Sequence, residues 1–405
     1  MTPFLQFILL MTILLIVAKA AGYLATLLHQ PSVLGELIVG VVLGPSLVDV
    51  MHLAPFTDIA LHEVIHDLSE MGVLLLMFVA GLELHLSDLA RNSKVSALAG
   101  TLGVLVPVTM GWLIGLAFGY PHEQAIFLGL ILGATSVSIS AQTLMELKVL
   151  RSRVGLGLLG AAVFDDVLVI LALSVFLAFM GESAGMGAVL LVFVRMIIFL
   201  AASVAFGHWL LPWTVRRVSR WPISQGVLTL ALVVMFSYAL AAELVGGMAA
   251  ITGSFLAGLM FSRSPEKERL ERGISALAYS FFVPVFFVSI GLSVNVRSLD
   301  ASILWFVVAI IAVSVIGKWG GAGLGARWGG FTWRESVQLG AGMISRGEVG
   351  LILASVGQAQ GMIGAKEFSA MVAMVLFSTL ITPPILRSLF KSHAVVQSQP
   401  TEPAK

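Results

Sequence analysis

The sequence predicts an all-α polytopic membrane protein with about 13 transmembrane helices. Composition is the first observation behind this: of 405 residues, 58% are hydrophobic and only 11% charged. A soluble domain carries roughly 25% charged residues, so these charges are too few to solvate a surface of this size. The second is pattern. The apolar residues fall into runs of about 20, the length that crosses roughly 30 Å of hydrocarbon. Backbone groups in lipid must be satisfied within the segment, and no short alternation marks a barrel, so the spans are helices. The third is the placement of Lys and Arg.

The spans lie near 4–28, 33–50, 64–83, 95–118, 124–147, 154–180, 188–213, 224–242, 246–261, 274–292, 303–326, 335–359 and 367–390. The first, Phe4–Leu28, is too long for a signal-peptide core and has no basic segment before it, so it is read as a retained span. The second is short and holds Glu36, either a vestibule acid or a helix-start residue. The third begins on His62-Glu63-Val64-Ile65-His66, which matches the zinc-protease pattern H-E-x-x-H. Two His four apart on a helix can bind zinc with Glu as base, so an intramembrane zinc protease is a competing reading. The sequence offers no third ligand, and an interfacial polar helix start explains the motif as well.

The fifth span is interrupted by Ala134–Ser140, ATSVSIS, which sets Thr135, Ser136, Ser138 and Ser140 at membrane depth. Hydroxyls and freed carbonyls there can bind a dehydrated cation. The sixth span opens on Gly155-x-Gly157-x-x-Gly160. The motif matches a dinucleotide fingerprint but follows no strand, so close helix packing explains it better. The run Val154–Met180 is centred near residue 167, which places Asp165 and Asp166 close to the bilayer midplane. A charge at that depth costs a few kcal/mol even on the mild insertion scale. Neighbours differ by about 100° on a helix, so one carboxylate can face a cavity while the other turns to a neighbouring helix. Two carboxylates so close in low dielectric resist ionising together, which suits a site that trades a cation for a proton. A pair of helix-packing acids is the plainer alternative.

Arg195 lies about seven residues inside the seventh span and is placed to snorkel outward. Trp209, Trp213 and Trp221 suit an interfacial belt, and Glu243 falls at the outer interface. In the eleventh span Lys318 is nine residues from Arg327, roughly 14 Å deep. Its natural partner is one of the two aspartates, with snorkelling or a purely structural ion pair as the alternative. The twelfth span contains GMISRGEVG, with Arg346 and Glu348 among Gly342, Gly347 and Gly350, a segment poorly suited to continuous helix. Residues two apart point to opposite faces, so Arg346 and Glu348 are not expected to pair. In the last span Pro383-Pro384 is expected to kink or end the helix.

The loops test the count. The N-terminus and the even-to-odd loops carry only Arg297 and Lys366. The alternate loops carry Arg91, Lys94, Lys148, Arg151, Arg153, Arg216, Arg217, Arg220, Arg263, Lys267, Arg269, Arg272, Arg327 and Arg334, followed by Arg387, Lys391 and Lys405. By the positive-inside rule the N-terminus is outside and the C-terminus cytoplasmic. Residues 1–390 read as one transmembrane unit and 391–405 as a short cytoplasmic polar tail. Spans 5 and 12 are seven apart and therefore oppositely oriented. Two interrupted helices at corresponding places in opposed halves are the pattern of an inverted-repeat secondary transporter with its ion site at the crossing. There is no cysteine and the net charge is +1. Thiol chemistry and disulfides are excluded, no cofactor is expected, and nothing indicates nucleic acid.

Seven stretches, in order, carry a resemblance: QPSVLGELIVGVVLGPSL, LLLMFVAGLEL, ATSVSISAQTLMEL, GAAVFDDVL, VPVFFVSIGL, VIGKWGG and GMISRGEVGLI. Over about residues 5–390 the chain resembles the cation:proton antiporter-2 family, especially its NapA-type bacterial sodium/proton antiporters. The resemblance implies two crossed discontinuous helices of the NapA/NhaA-like fold, interleaved core and dimerisation subdomains, a homodimer, and elevator-type alternating access in the bacterial inner membrane. It implies that Asp166 binds the cation and exchanges protons and that Asp165 pairs with Lys318. It further implies that Thr135 and Ser136 contribute to the cation site and that Glu348 assists near the unwound chain. Kef-type potassium/proton members carry Gln-Asp where this chain has Asp165-Asp166, which favours Na+ or Li+ over K+. A K+/H+ antiporter of the same family, a sodium-coupled symporter of similar architecture and the zinc protease remain as alternatives.

Overall fold

A computed structural model describes residues 1–56, 60–84, 92–180, 186–292 and 303–396, and all regular structure among them is helical. In chain order the helices are α1 (Pro3–Leu27), α2 (Ser32–Leu43), α3 (Ala60–Glu83), α4 (Ser93–Ala117), α5 (His122–Gly133), α6 (Val137–Glu146), α7 (Arg153–Met180), α8 (Met186–Ala205), α9 (Leu211–Val218), α10 (Gly226–Ala241), α11 (Ala250–Phe261), α12 (Lys267–Leu277), α13 (Val283–Leu292), α14 (Leu304–Trp328), α15 (Trp333–Gly342), α16 (Glu348–Ala359) and α17 (Ala365–Val396). Wide π-helical turns join α8 to α9 and α12 to α13, and another extends α10. Among the described residues ten stretches are long and apolar enough to cross a membrane, and three shorter apolar helices accompany them: Ser32–Leu43, Ala250–Phe261 and Val349–Gln358. Arg91, Arg297 and the tail beyond 396 lie outside the described residues.

The helices pack in two groups. In one, α4 lies along α14, α5 and α7, while α14 also holds α15 and α17; in the other, α3 packs on α11 and α13, and α2 on α1 and α13. Glycine makes these approaches possible. A β-carbon on Gly325 would overlap the Leu98 carbonyl across α4–α14, and one on Gly258 would overlap the Phe78 carbonyl across α11–α3. Membrane helices gain little from hiding apolar surface from lipid, so such close backbone contact is a main source of their association. The groups meet where α6 touches α2 and α3, and where α17 touches α2.

Two expected elements differ. The helix expected over 33–50 ends at Leu43, because Gly44 takes an extended conformation and Pro45 follows. The residue before a proline is pushed away from helix. The Pro383-Pro384 pair does not stop α17, which runs on to Val396 and takes in the first residues of the expected polar tail. In membranes, neighbouring helices and hydroxyls accommodate proline within a helix. The carbonyls left without a helical N–H here are those of Thr379 and Leu380, and one residue earlier Thr382 Oγ1 bonds Ser378 O at 2.7 Å.

A buried ion pair beside two broken helices

The chain breaks twice at depth: at Ala134–Ser136 between α5 and α6, and at Met343–Gly347 between α15 and α16. The breaks bind each other. Ser136 N donates to Ser345 O at 2.9 Å. Ser345 Oγ donates to Ser136 O at 2.6 Å, and Ser140 Oγ donates to Gly342 O at 2.5 Å. The contact requires glycine at 347, where a β-carbon would stand 2.6 Å from Ser136 Oγ. Breaking a helix strands its last carbonyls, and these bonds satisfy some of them.

Two buried cations satisfy others. Lys318 Nζ lies 2.6 Å from Gly133 O, the last residue of α5, and 2.6 Å from Asp165 Oδ1. Arg346 is fully buried. Its Nη2 donates to Leu132 O at 2.7 Å and Ser314 O at 3.3 Å, and its Nη1 to Met343 O and Ile344 O at 3.3 Å each. Both cations thus cap helix C-termini, the negative end of the macrodipole. Arg346 also offers its own carbonyl to Thr379 Oγ1.

Asp165 and Lys318 are closed to solvent, whereas Asp166 retains 7% exposure. The neighbouring carboxylates therefore face different surroundings, as their offset of about 100° requires. Asp166 Oδ2 accepts a 2.7 Å bond from Thr252 Oγ1 on α11. Beside it is a small cavity of about 10 Å³, lined by Asp166, Thr252, Met77, Val137, Ile251 and Phe255, room for about one water. Thr135 is buried, with Oγ1 unpartnered among the described residues. Ser136 Oγ pairs with Ser138 Oγ at 3.0 Å. Glu348 opens α16, and its side chain lies outside the described residues.

The other singled-out residues lie elsewhere. Glu36 is buried in α2, 3.6 Å from Lys19 Nζ. Nearby, Glu146 at the end of α6 accepts from Ser32 N and Ser32 Oγ at 2.6 Å each, and from Gln142 Nε2 at 2.9 Å. Arg195 holds the Val245 and Leu244 carbonyls at 2.8 and 2.5 Å. Trp209, Trp213 and Trp221 are all exposed on the surface. Gly157 packs against the Phe331 ring and offers its carbonyl to Ser96 Oγ, a packing role for that glycine motif.

His62 and His66 stand in the first turns of α3. His62 packs on the His52 ring at 5.7 Å, and His66 lies 3.8 Å from Glu70. Among the described residues no three His, Cys, Asp or Glu groups converge as metal ligands, so the geometry does not carry the zinc reading. His62, Glu63, His66 and Glu70 instead line a larger cavity of about 720 Å³ between α3, α13 and α16. That cavity reaches Val73, one helical turn from Met77 in the wall beside Asp166.

Sequence reasoning passed over Thr252, Lys19 and the Ser32–Glu146 bridge. Lys19 was detectable as a lone charge in the first apolar run. Thr252 left a fainter trace, a hydroxyl early in a short span behind Gly246-Gly247.

The profile of the transmembrane sodium/hydrogen exchanger family matches residues 10–392. Over 380 residues the chain is 40% identical to GerT, a probable Na+/H+ antiporter of Bacillus cereus, covering 94% of this chain and 98% of that one. It is 39% identical over 386 residues to GerN, a Na+/H+-K+ antiporter of the same organism, covering 95% and 96%. A solved structure of the sodium proton antiporter MjNhaP1 from Methanocaldococcus jannaschii superposes with a TM-score of 0.67 at 16% identity, over 97% of this chain and 99% of the other. That likeness is one of fold.

Proposed function

The chain belongs to the sodium/hydrogen exchanger family, and from that premise we propose that it exchanges Na+ (or Li+) for H+ by alternating access, with Asp166 as the carrier. It is a multi-pass membrane transporter and not an enzyme. The observation that carries the proposal is the asymmetry of the aspartates. Asp165 is committed to Lys318 at 2.6 Å, while Asp166 borders a cavity with a hydroxyl on one oxygen. A buried carboxylate able to hold either a cation or a proton, but not both, obliges the two to compete, and competition at one site is what couples exchange.

Thr135 and Ser136 complete the cation site in this reading, and Glu348 assists from the start of α16. The fold has thirteen spans in inverted repeats, with α5/α6 and α15/α16 as the crossed discontinuous pair. The α4–α7 and α14–α17 helices form the core, which slides as an elevator against a dimerisation part built from α1–α3 and α10–α13. The protein is a homodimer of the bacterial inner membrane, N-terminus outside and C-terminus cytoplasmic, so the large cavity opens outward. Periplasmic protons then release the cation outward, and cytoplasmic deprotonation reloads the site.

The test is a proton-gradient dye in proteoliposomes, with Na+, Li+ and K+ supplied in turn. Wild-type protein is expected to dequench the dye with Na+ or Li+, and Asp166→Asn to abolish the response while remaining monodisperse. Full exchange by the variant would overturn the assignment. A second reading, K+/H+ exchange, is favoured by the likeness to GerN, named for K+ as well as Na+; a response to K+ alone would select it.

A further inference from the structure

Many helix hydroxyls among the described residues return their proton to their own helix, as Thr109 does to Leu105 O, Thr143 to Ile139 O, Ser237 to Val233 O and Thr382 to Ser378 O. Thr252 does not. It is the third residue of α11, and the residue four before it, Met248, precedes the helix. The carbonyl three before it, Ala249 O, takes the Thr252 N–H at 3.0 Å, and the hydroxyl turns away from its own helix. It donates to Asp166 Oδ2 at 2.7 Å, across from α11 to α7.

The setting of α11 sharpens this. The helix has 12 residues, roughly 18 Å at 1.5 Å each, well short of the roughly 30 Å hydrocarbon layer. It ends beside Arg263, at one edge, so its first turn begins inside the membrane. Gly247, at φ 65°, turns the chain into that start from the end of α10. This first turn carries the positive end of the macrodipole. Thr252 and Ile251, from this turn, line the same cavity as Asp166. Three observations therefore coincide: an early helix start at depth, a hydroxyl bonded across to another helix, and a shared cavity with the carboxylate.

We infer that Thr252 is a positioning residue of the cation site, whose hydroxyl fixes the Asp166 carboxylate at the cavity so that its oxygens are set for the ion. This rests on the exchange reading above and adds a residue from the helix group that does not carry the aspartates. The hydroxyl has one proton and two lone pairs. With the proton on Asp166 Oδ2, a lone pair remains for a cation in the cavity. A site built this way binds an ion without first having to order its carboxylate.

The test separates binding from transport. Full-length protein in detergent is melted over a range of NaCl and LiCl at constant ionic strength, balanced with choline chloride. Exchange is measured in proteoliposomes. Wild-type protein is expected to be stabilised by Na+ or Li+. Thr252→Val should need about tenfold more cation for half the stabilisation, the scale of one hydrogen bond to a charged group. The half-saturating cation concentration for exchange should rise by the same factor with the maximal rate largely kept. Thr252→Ser, which restores the hydroxyl, should return to within about threefold of wild type. If Thr252→Val does not fold, Thr252→Ala carries the same expectation. An unchanged half-point in the Val or Ala variant, a Ser variant as weak as Val, or a wild type that neither cation stabilises would each overturn the inference. Cation binding that follows this order in a protein without exchange would leave the role of Thr252 standing and sink the exchange reading instead.

Discussion

Lys318 and Asp165 stand 2.6 Å apart with both side chains closed to solvent, and the same ammonium caps Gly133 at the end of the broken helix α5. The lysine thus serves two groups, a buried carboxylate and a stranded carbonyl. Removing one partner of such a pair leaves the other charge uncompensated, at a cost of roughly 3–5 kcal/mol, whereas apolar replacement of both is far milder. Lys318→Met is therefore expected to lower the melting temperature in detergent sharply, and Lys318→Met with Asp165→Leu to recover much of the loss. Single-variant losses that simply add in the double variant would show that the pair is uncoupled. In solid-supported-membrane currents Lys318→Ala should alter charge movement; an unchanged current would count against a role in exchange.

Arg346 is the more demanding cation, with four carbonyl acceptors from three parts of the chain. Lysine presents a point charge where arginine presents a fork. Arg346→Lys should therefore cost several kcal/mol despite keeping its charge, read as reduced monodisperse yield and a lower melting temperature. A variant as stable as wild type would show that the carbonyls find other donors.

The crossing of the two breaks rests on small hydroxyls. Ser345→Ala deletes the 2.6 Å bond to Ser136 O and the contact with Ser140. A loss of about 1–2 kcal/mol is expected, together with slower exchange. Ser388→Ala is the control: that hydroxyl is exposed and bonds its own helix, at Ile385 O, so neither stability nor exchange should change. Equal effects of the two variants would remove any special standing from the crossing.

His62→Ala and His66→Ala are expected to leave exchange intact and to bind no less zinc than wild type, since neither histidine belongs to a converging ligand set among the described residues. Stoichiometric zinc lost on either substitution, by elemental analysis, would revive the metal reading.

Legibility in the sequence followed energetic penalty. A charge at bilayer depth is too unfavourable to be idle, so Asp165, Asp166, Lys318 and Arg346 stood out. Gly, Ser and Thr inside two apolar runs marked both breaks. The partners of Arg346 were not legible, because they are carbonyls and every residue carries one. Thr252 was only faintly legible because a single threonine in an apolar helix ordinarily bonds its own backbone. Its bond to Asp166 exists only once α11 is packed beside α7. Glu36 could be seen but not its partner, since Lys19 belongs to the first span and comes within 3.6 Å only in the folded chain. Pro383-Pro384 did not end its helix, since prolines that would break a soluble helix are tolerated within membrane helices.

Salt has no route to the sealed ion pair. Dissolved ions weaken exposed charge pairs over a Debye length of about 10 Å at 0.1 M, but they do not reach between Lys318 and Asp165, whose side chains are 0% and 1% accessible. The electrostatics that hold the broken helix together are thus insulated from ionic strength. The internal scaffold is indifferent to the salt around the protein, and in the proposed exchange responsiveness falls to Asp166, beside its small cavity.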